Sequence, residues 1–169
     1  MKGIKHFPSY FGGLSAIGLA LAAPNAVAQE LHNHDLCRQT STYPLEQLGD
    51  RDGHAMNSGM DSCETVEGVT KGAIWTSFIM WEWDGPKAKE LAGWAVGRKV
   101  GATQTCQDIP EKGTIELVMT DGKVTGWTAS GQCVVTMGTW DFASMAGKTW
   151  YWNAKPTGPM TSEINSTIK

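Results

Sequence analysis

Thr114-Ile115-Glu116-Leu117-Val118-Met119-Thr120, then Asp121-Gly122, then Lys123-Val124-Thr125-Gly126-Trp127 is the stretch that decides the fold class. Ile115, Leu117 and Met119 recur at every second position, the period of a strand with one face turned to a core. Asp-Gly suits the two central positions of a type I′ turn, where both residues need positive φ. The chain therefore reads as a hairpin. Counting back through that turn sets Glu116 opposite Trp127, as a solvent-facing carboxylate on the side away from Ile115 and Leu117. The return strand runs from Lys123 to about Met137, with Trp127, Ala129, Cys133, Val135 and Met137 in phase. Gly126 and Gly131 lie inside it and mark bulges or sharp coiling, as in a closing barrel.

Further strands follow from the same alternation. Residues 73–83 carry Trp75, Ile79, Trp81 and Trp83 on one parity and Ile74, Phe78 and Met80 on the other, which suggests a strand covered on both sides. Residues 92–106 place Trp94, Val96, Val100 and Cys106 in phase, with Arg98 as an inward cation. Residues 148–154 carry Trp150 and Trp152 on one face. Pro86 to Leu91 is the one short helical candidate. Residues 29–63 are polar and turn-rich and read as an irregular arm. Residues 64–155 form the β domain, and residues 156–169 read as a polar tail. The absence of helical crossovers argues against an α/β fold. The expected fold is all-β: a small antiparallel β-barrel or a strongly twisted sandwich, with a disulfide-pinned N-terminal arm. This strand pattern resembles that of small secreted calycin-like or dirigent-like barrels. The resemblance rests on strands alone and assigns no site residue.

The first 28 residues carry the three parts of a secretory signal peptide. Lys2 and Lys5 are basic, residues 14–23 are apolar, and Ala26-Val27-Ala28 offers small residues at the cleavage site. The apolar run is shorter than the ~20 residues of a membrane-spanning helix. The expected product is secreted or periplasmic. Its cleavage leaves 12 basic against 17 acidic residues, a formal charge of −5. No Lys/Arg cluster is present to engage nucleic acid or an anionic membrane. Four cysteines, Cys37, Cys63, Cys106 and Cys133, lack any C-x-x-C spacing. In an oxidising compartment they make two disulfides, and the sequential pairing, Cys37–Cys63 and Cys106–Cys133, is the one expected.

Three features could carry chemistry. All the histidines after residue 28 (His32, His34 and His54) fall in the arm, so a histidine-based nucleophilic site in the barrel would need the arm folded over it. With Met56 and Met60 they form a candidate copper set, because imidazole and thioether suit that metal. Solvated loop histidines are the plainer reading. Eight tryptophans are present. Seven of them, Trp75, Trp81, Trp83, Trp94, Trp127, Trp150 and Trp152, are candidate ligand contacts, since indoles line sites for flat apolar molecules as readily as they pack a core. Glu82, Asp84 and Arg98 are candidate catalytic groups at a barrel mouth. Leading these readings is a barrel that binds a small apolar or aromatic molecule. An isomerase or lyase using cavity carboxylates, copper handling by the arm, and a protein-interaction or inhibitor module are the alternatives.

Overall fold

The computed structural model describes residues 30–169, so the export segment expected at residues 1–28 lies outside the described residues. Ten strands follow in chain order: β1 (Leu31–Thr42), β2 (Glu46–Gln47), β3 (His54–Gly68), β4 (Ile74–Asp84) and β5 (Lys87–Lys99), then β6 (Ala102–Asp108), β7 (Thr114–Thr120), β8 (Lys123–Gly138), β9 (Thr149–Gly158) and β10 (Thr161–Ile168). A 3-10 helix, Trp140–Met145, joins β8 to β9. Strands β1, β10, β9, β8, β6, β5, β4 and β3 pair antiparallel in that order, and the β1–β3 pairing closes them into an eight-stranded barrel. Closure removes the unpaired edges of an open sheet. Strand β7 lies between β5 and β8, as β6 does, further along the same two strands. The pair behaves as one strand interrupted at residues 109–113.

The Asp121-Gly122 turn forms as its residues dictate, with φ of 49° and 73°. Beyond it the pairing departs from simple counting. Val118 faces Gly126 while Met119 faces Val124, so Thr125 is an extra residue in β8. This bulge shifts the register by one, and a one-residue shift exchanges the faces of a strand. Leu117, not Glu116, therefore opposes Trp127. Glu116 stands outside and pairs with Lys87 at 3.1 Å.

Three expectations at the chain's ends and middle are corrected. Residues 29–63 are mostly not irregular: they supply β1, which alternates between more and less buried positions, and the first part of β3, which is buried or half-buried throughout. Only residues 43–53 remain loop-like, around the two-residue β2. The tail at 156–169 is strand as well, completing β9 and forming β10, whose pairing with β1 closes the ring. Residues 86–91 lead straight into β5 rather than a helix.

Both disulfides have the expected sequential pairing, Cys37–Cys63 across β1 and β3, Cys106–Cys133 across β6 and β8. They suit an oxidising environment, extracellular or periplasmic. Their sulfurs join Trp75, Val135, Phe142, Met145, Trp150 and Ile168 in the buried core. Phe142 and Met145 come from the 3-10 helix, which plugs the end of the barrel that holds the β5–β6 turn and the last residues of β10. Among the described residues no helix is long and apolar enough to cross a membrane.

Candidate functional site

Above the plugged end the barrel encloses a cavity of about 330 Å³, which lies within the ordinary range of small-molecule sites. Alternation decides what faces it. On β4 the odd positions Trp75, Trp81 and Trp83 turn inward, on β8 the bulge brings Trp127 inward, and on β9 Trp150 and Trp152 do the same. Trp75 and Trp150 form the floor, edge to face with centroids 4.8 Å apart. Trp83 and Trp127 stand near the open end.

Glycines provide the room for these rings. A Cβ at Gly97 would overlap the ring of Trp75, and one at Gly131 would overlap Trp152. Gly131 directly opposes Trp152 across the β8–β9 pair. It is therefore a seat for an indole, whereas Gly126 flanks the bulge.

Three aspartates share the wall with the tryptophans: Asp35 on β1, Asp61 on β3 and Asp108 on β6. No lysine, arginine or histidine lines the cavity among the described residues. The Trp75 indole N–H donates to Thr65 Oγ1 at 2.9 Å, and the Thr65 hydroxyl donates to Asp35 at 2.5 Å. Burial nevertheless raises Asp35 above the usual carboxylate range, and burial alone raises Asp61.

Asp108 has a partner behind it. Glu90 on β5 is fully buried, and neither carboxyl oxygen meets an ordinary hydrogen-bond donor. It sits where β6 breaks off before β7. Backbone bonds from Glu90 N–H to Gly113 and from Glu111 N–H to Glu90 replace the missing ladder. A side chain at Gly93 would strike both the Asp108 and Glu90 carboxyls, and one at Gly113 would strike Glu90. The two glycines thus make the space in which the carboxyls meet. Burial, then the neighbouring Asp108, pushes Glu90 up to about 8. Burial pushes Asp108 up to about 6, while the neighbouring Glu90 carboxyl and Trp152 indole favour its ionised form. Two carboxyls this close cannot both ionise cheaply, so near neutral pH the pair shares one proton and carries one charge between them.

The other expected site residues lie elsewhere. Trp94 faces outward and stacks on Phe78, with centroids 6.4 Å apart. Arg98 is exposed, because the inward positions of β5 are Gly93, Ala95 and Gly97, cleared for neighbouring side chains. Glu82 and Asp84 stand on the outer wall. Glu82 accepts from His54 at 2.8 Å and pairs with Lys89 at 3.0 Å, while Asp84 meets Arg51 at 3.5 Å. His54 is buried beneath this network, its other ring nitrogen on Asp50. Its hydrogen bonds to Asp50 and Glu82 raise its pKa above the ordinary histidine value. His32 and His34 lie at the far end of the barrel, on Thr167 and Glu163. The fold thus separates the histidines: His32 is next to β3's last residues and His54 is its first. Met56 and Met60 are half-buried on β3 and do not line the cavity.

Sequence reasoning missed Asp35, Asp61, Asp108 and Glu90. A signal for three of them was present. Asp35, Asp61 and Asp108 each stand two residues from a disulfide cysteine (Cys37, Cys63 and Cys106), so period-two alternation puts them on the same inward face. Nothing comparable marks Glu90.

Fold and cavity together define a class, a small antiparallel barrel with an internal aromatic cluster. Compared with protein families and with curated proteins, the chain matches none.

Proposed function

We propose that this protein is an exported barrel that binds a small aromatic molecule in its tryptophan-lined cavity. One observation carries the reading: six of the eight tryptophans converge on a single cavity, Trp75 and Trp150 where it meets the core, rather than forming a surface patch. Of the remaining two, Trp94 lies on the outer wall and Trp140 opens the 3-10 helix, so they do not extend a common binding face. The two disulfides support action outside the cytoplasm. Titration of the intrinsic tryptophan emission with single- and fused-ring aromatics tests the reading. Saturable quenching that is lost in Trp127→Ala and Trp152→Ala is expected. A flat response across such a library overturns it.

The Glu90–Asp108 pair favours a second reading, an isomerase or lyase. Here Asp108 is the base that faces the ligand, and Glu90 is the acid behind it. Glu82, Asp84 and Arg98 have no part in it, since none lines the cavity. Deuterium exchange into a bound carbon acid, lost in Asp108→Asn, is the measurement that distinguishes a catalyst from a carrier.

A further inference from the structure

The cavity's charge is one-sided. Among the described residues three carboxyls face it and no basic side chain does, while the indoles present electron-rich faces that also attract cations. Behind the wall, Glu90 is fully buried, meets no N–H or hydroxyl donor, and lies against the Asp108 carboxyl. We infer that the ligand is an aromatic amine bound as its ammonium ion, with Asp108 as counter-ion and the indole faces around the ring. This deepens the proposed function and rests on it.

The physical case is one of compensation. A neutral aromatic without a donor would cover Asp61, whose carboxyl burial alone perturbs, and leave that acceptor unmet. An ammonium supplies three donors and cancels a charge that burial has made costly. The groups that set the local charge come from four strands: Asp35 (β1), Asp61 (β3), Glu90 (β5) and Asp108 (β6). Lys89, the neighbour of Glu90 in β5, is turned outward onto Glu82 and does not neutralise them. Glu90 and Asp108 lie too close to ionise together cheaply, so the pair adds one negative charge rather than two beside the cavity. A volume of about 330 Å³ suits a mono- or bicyclic ring with a short amine arm.

The test compares two probes of one shape, 2-naphthylmethylammonium and 2-naphthylmethanol, by calorimetry and tryptophan emission on the purified protein at neutral pH. The ammonium should bind at least about tenfold more tightly. In Asp108→Asn that preference should fall toward unity, mostly through loss of ammonium affinity. Asp61→Asn is the second variant, with a smaller loss of preference expected, and the comparison in the unaltered protein needs no variant to fold. Equal binding of the two probes, or a preference untouched by both substitutions, overturns the amine assignment and leaves the aromatic cavity standing. Failure of both probes to bind overturns the aromatic cavity as well.

Discussion

The ring of Trp152 lies over Gly131, its direct partner across the β8–β9 pair, in space that any side chain at Gly131 would occupy. A glycine inside a strand weakens it, but this one lets an indole lie against the wall and leave the cavity open. The same device operates at Gly97 beneath Trp75.

Gly131→Ala should therefore push Trp152 off the wall, at a cost of about 1–3 kcal/mol typical of overpacking. Gly126→Ala is the control. A Cβ there meets only Pro156 and Val118 at 3.8 and 4.0 Å, ordinary contact, and should change stability by less than about 0.5 kcal/mol. Urea unfolding gives the cost, and near-ultraviolet circular dichroism reports the displaced indole. Equal effects of the two substitutions would contradict the seating role.

Glu90 makes stability fall with rising pH. Its folded pKa, about 8, is above the unfolded carboxylate value near 4.5, so the folded state holds a proton that the unfolded state releases. The stabilisation is complete below about pH 4.5 and is lost as pH rises through 8, with a slope of at most about 1.4 kcal/mol per pH unit. Glu90→Gln should flatten the upper part of this window, above the range where Asp108 titrates at about 6, and raise stability at pH 8. A pH profile of urea midpoints unchanged by the substitution would refute the assignment.

His54 should hold residues 43–53 to the barrel in a bounded pH range. Hydrogen bonds to Asp50 and Glu82 raise the histidine, and the bond from His54 lowers both carboxylates. The histidine's contribution is full below about 6.5 and disappears as pH rises through its raised value. The carboxylates contribute above about 4.5 and lose that contribution as pH falls through their lowered values. Amide exchange in residues 43–53 should be slowest between these limits, and His54→Ala should accelerate it without affecting β8 or β9. Uniform acceleration across the barrel would place His54 in the core instead.

Removal of the Cys106–Cys133 bridge by paired Cys→Ala substitution should cost about 2–5 kcal/mol. The bridge joins β6 to β8 beneath the cavity, and Cys133 opposes Trp150 of the floor. Loss of aromatic-probe binding together with stability, measured by titration and urea unfolding, is the expected pattern. A bridge-free protein of unchanged midpoint would show that the core holds the floor without it.

The sequence by itself determined what alternation and turn chemistry can encode. The Asp121-Gly122 hairpin, the all-β class and the sequential disulfides were legible because each depends on neighbouring residues or on simple pairing. The same period would have exposed the inward aspartates beside the cysteines. The tertiary structure alone decided three other matters. Thr125 became a bulge and turned Trp127 inward, because register depends on the partner strand as well as on the turn. Arg98 and Trp94 were sent outward, because a ring from β4 already filled the space over Gly97. Glu90 met Asp108, because β6 breaks where β5 carries a glutamate, and charge separation along a chain gives no measure of distance across a closed barrel.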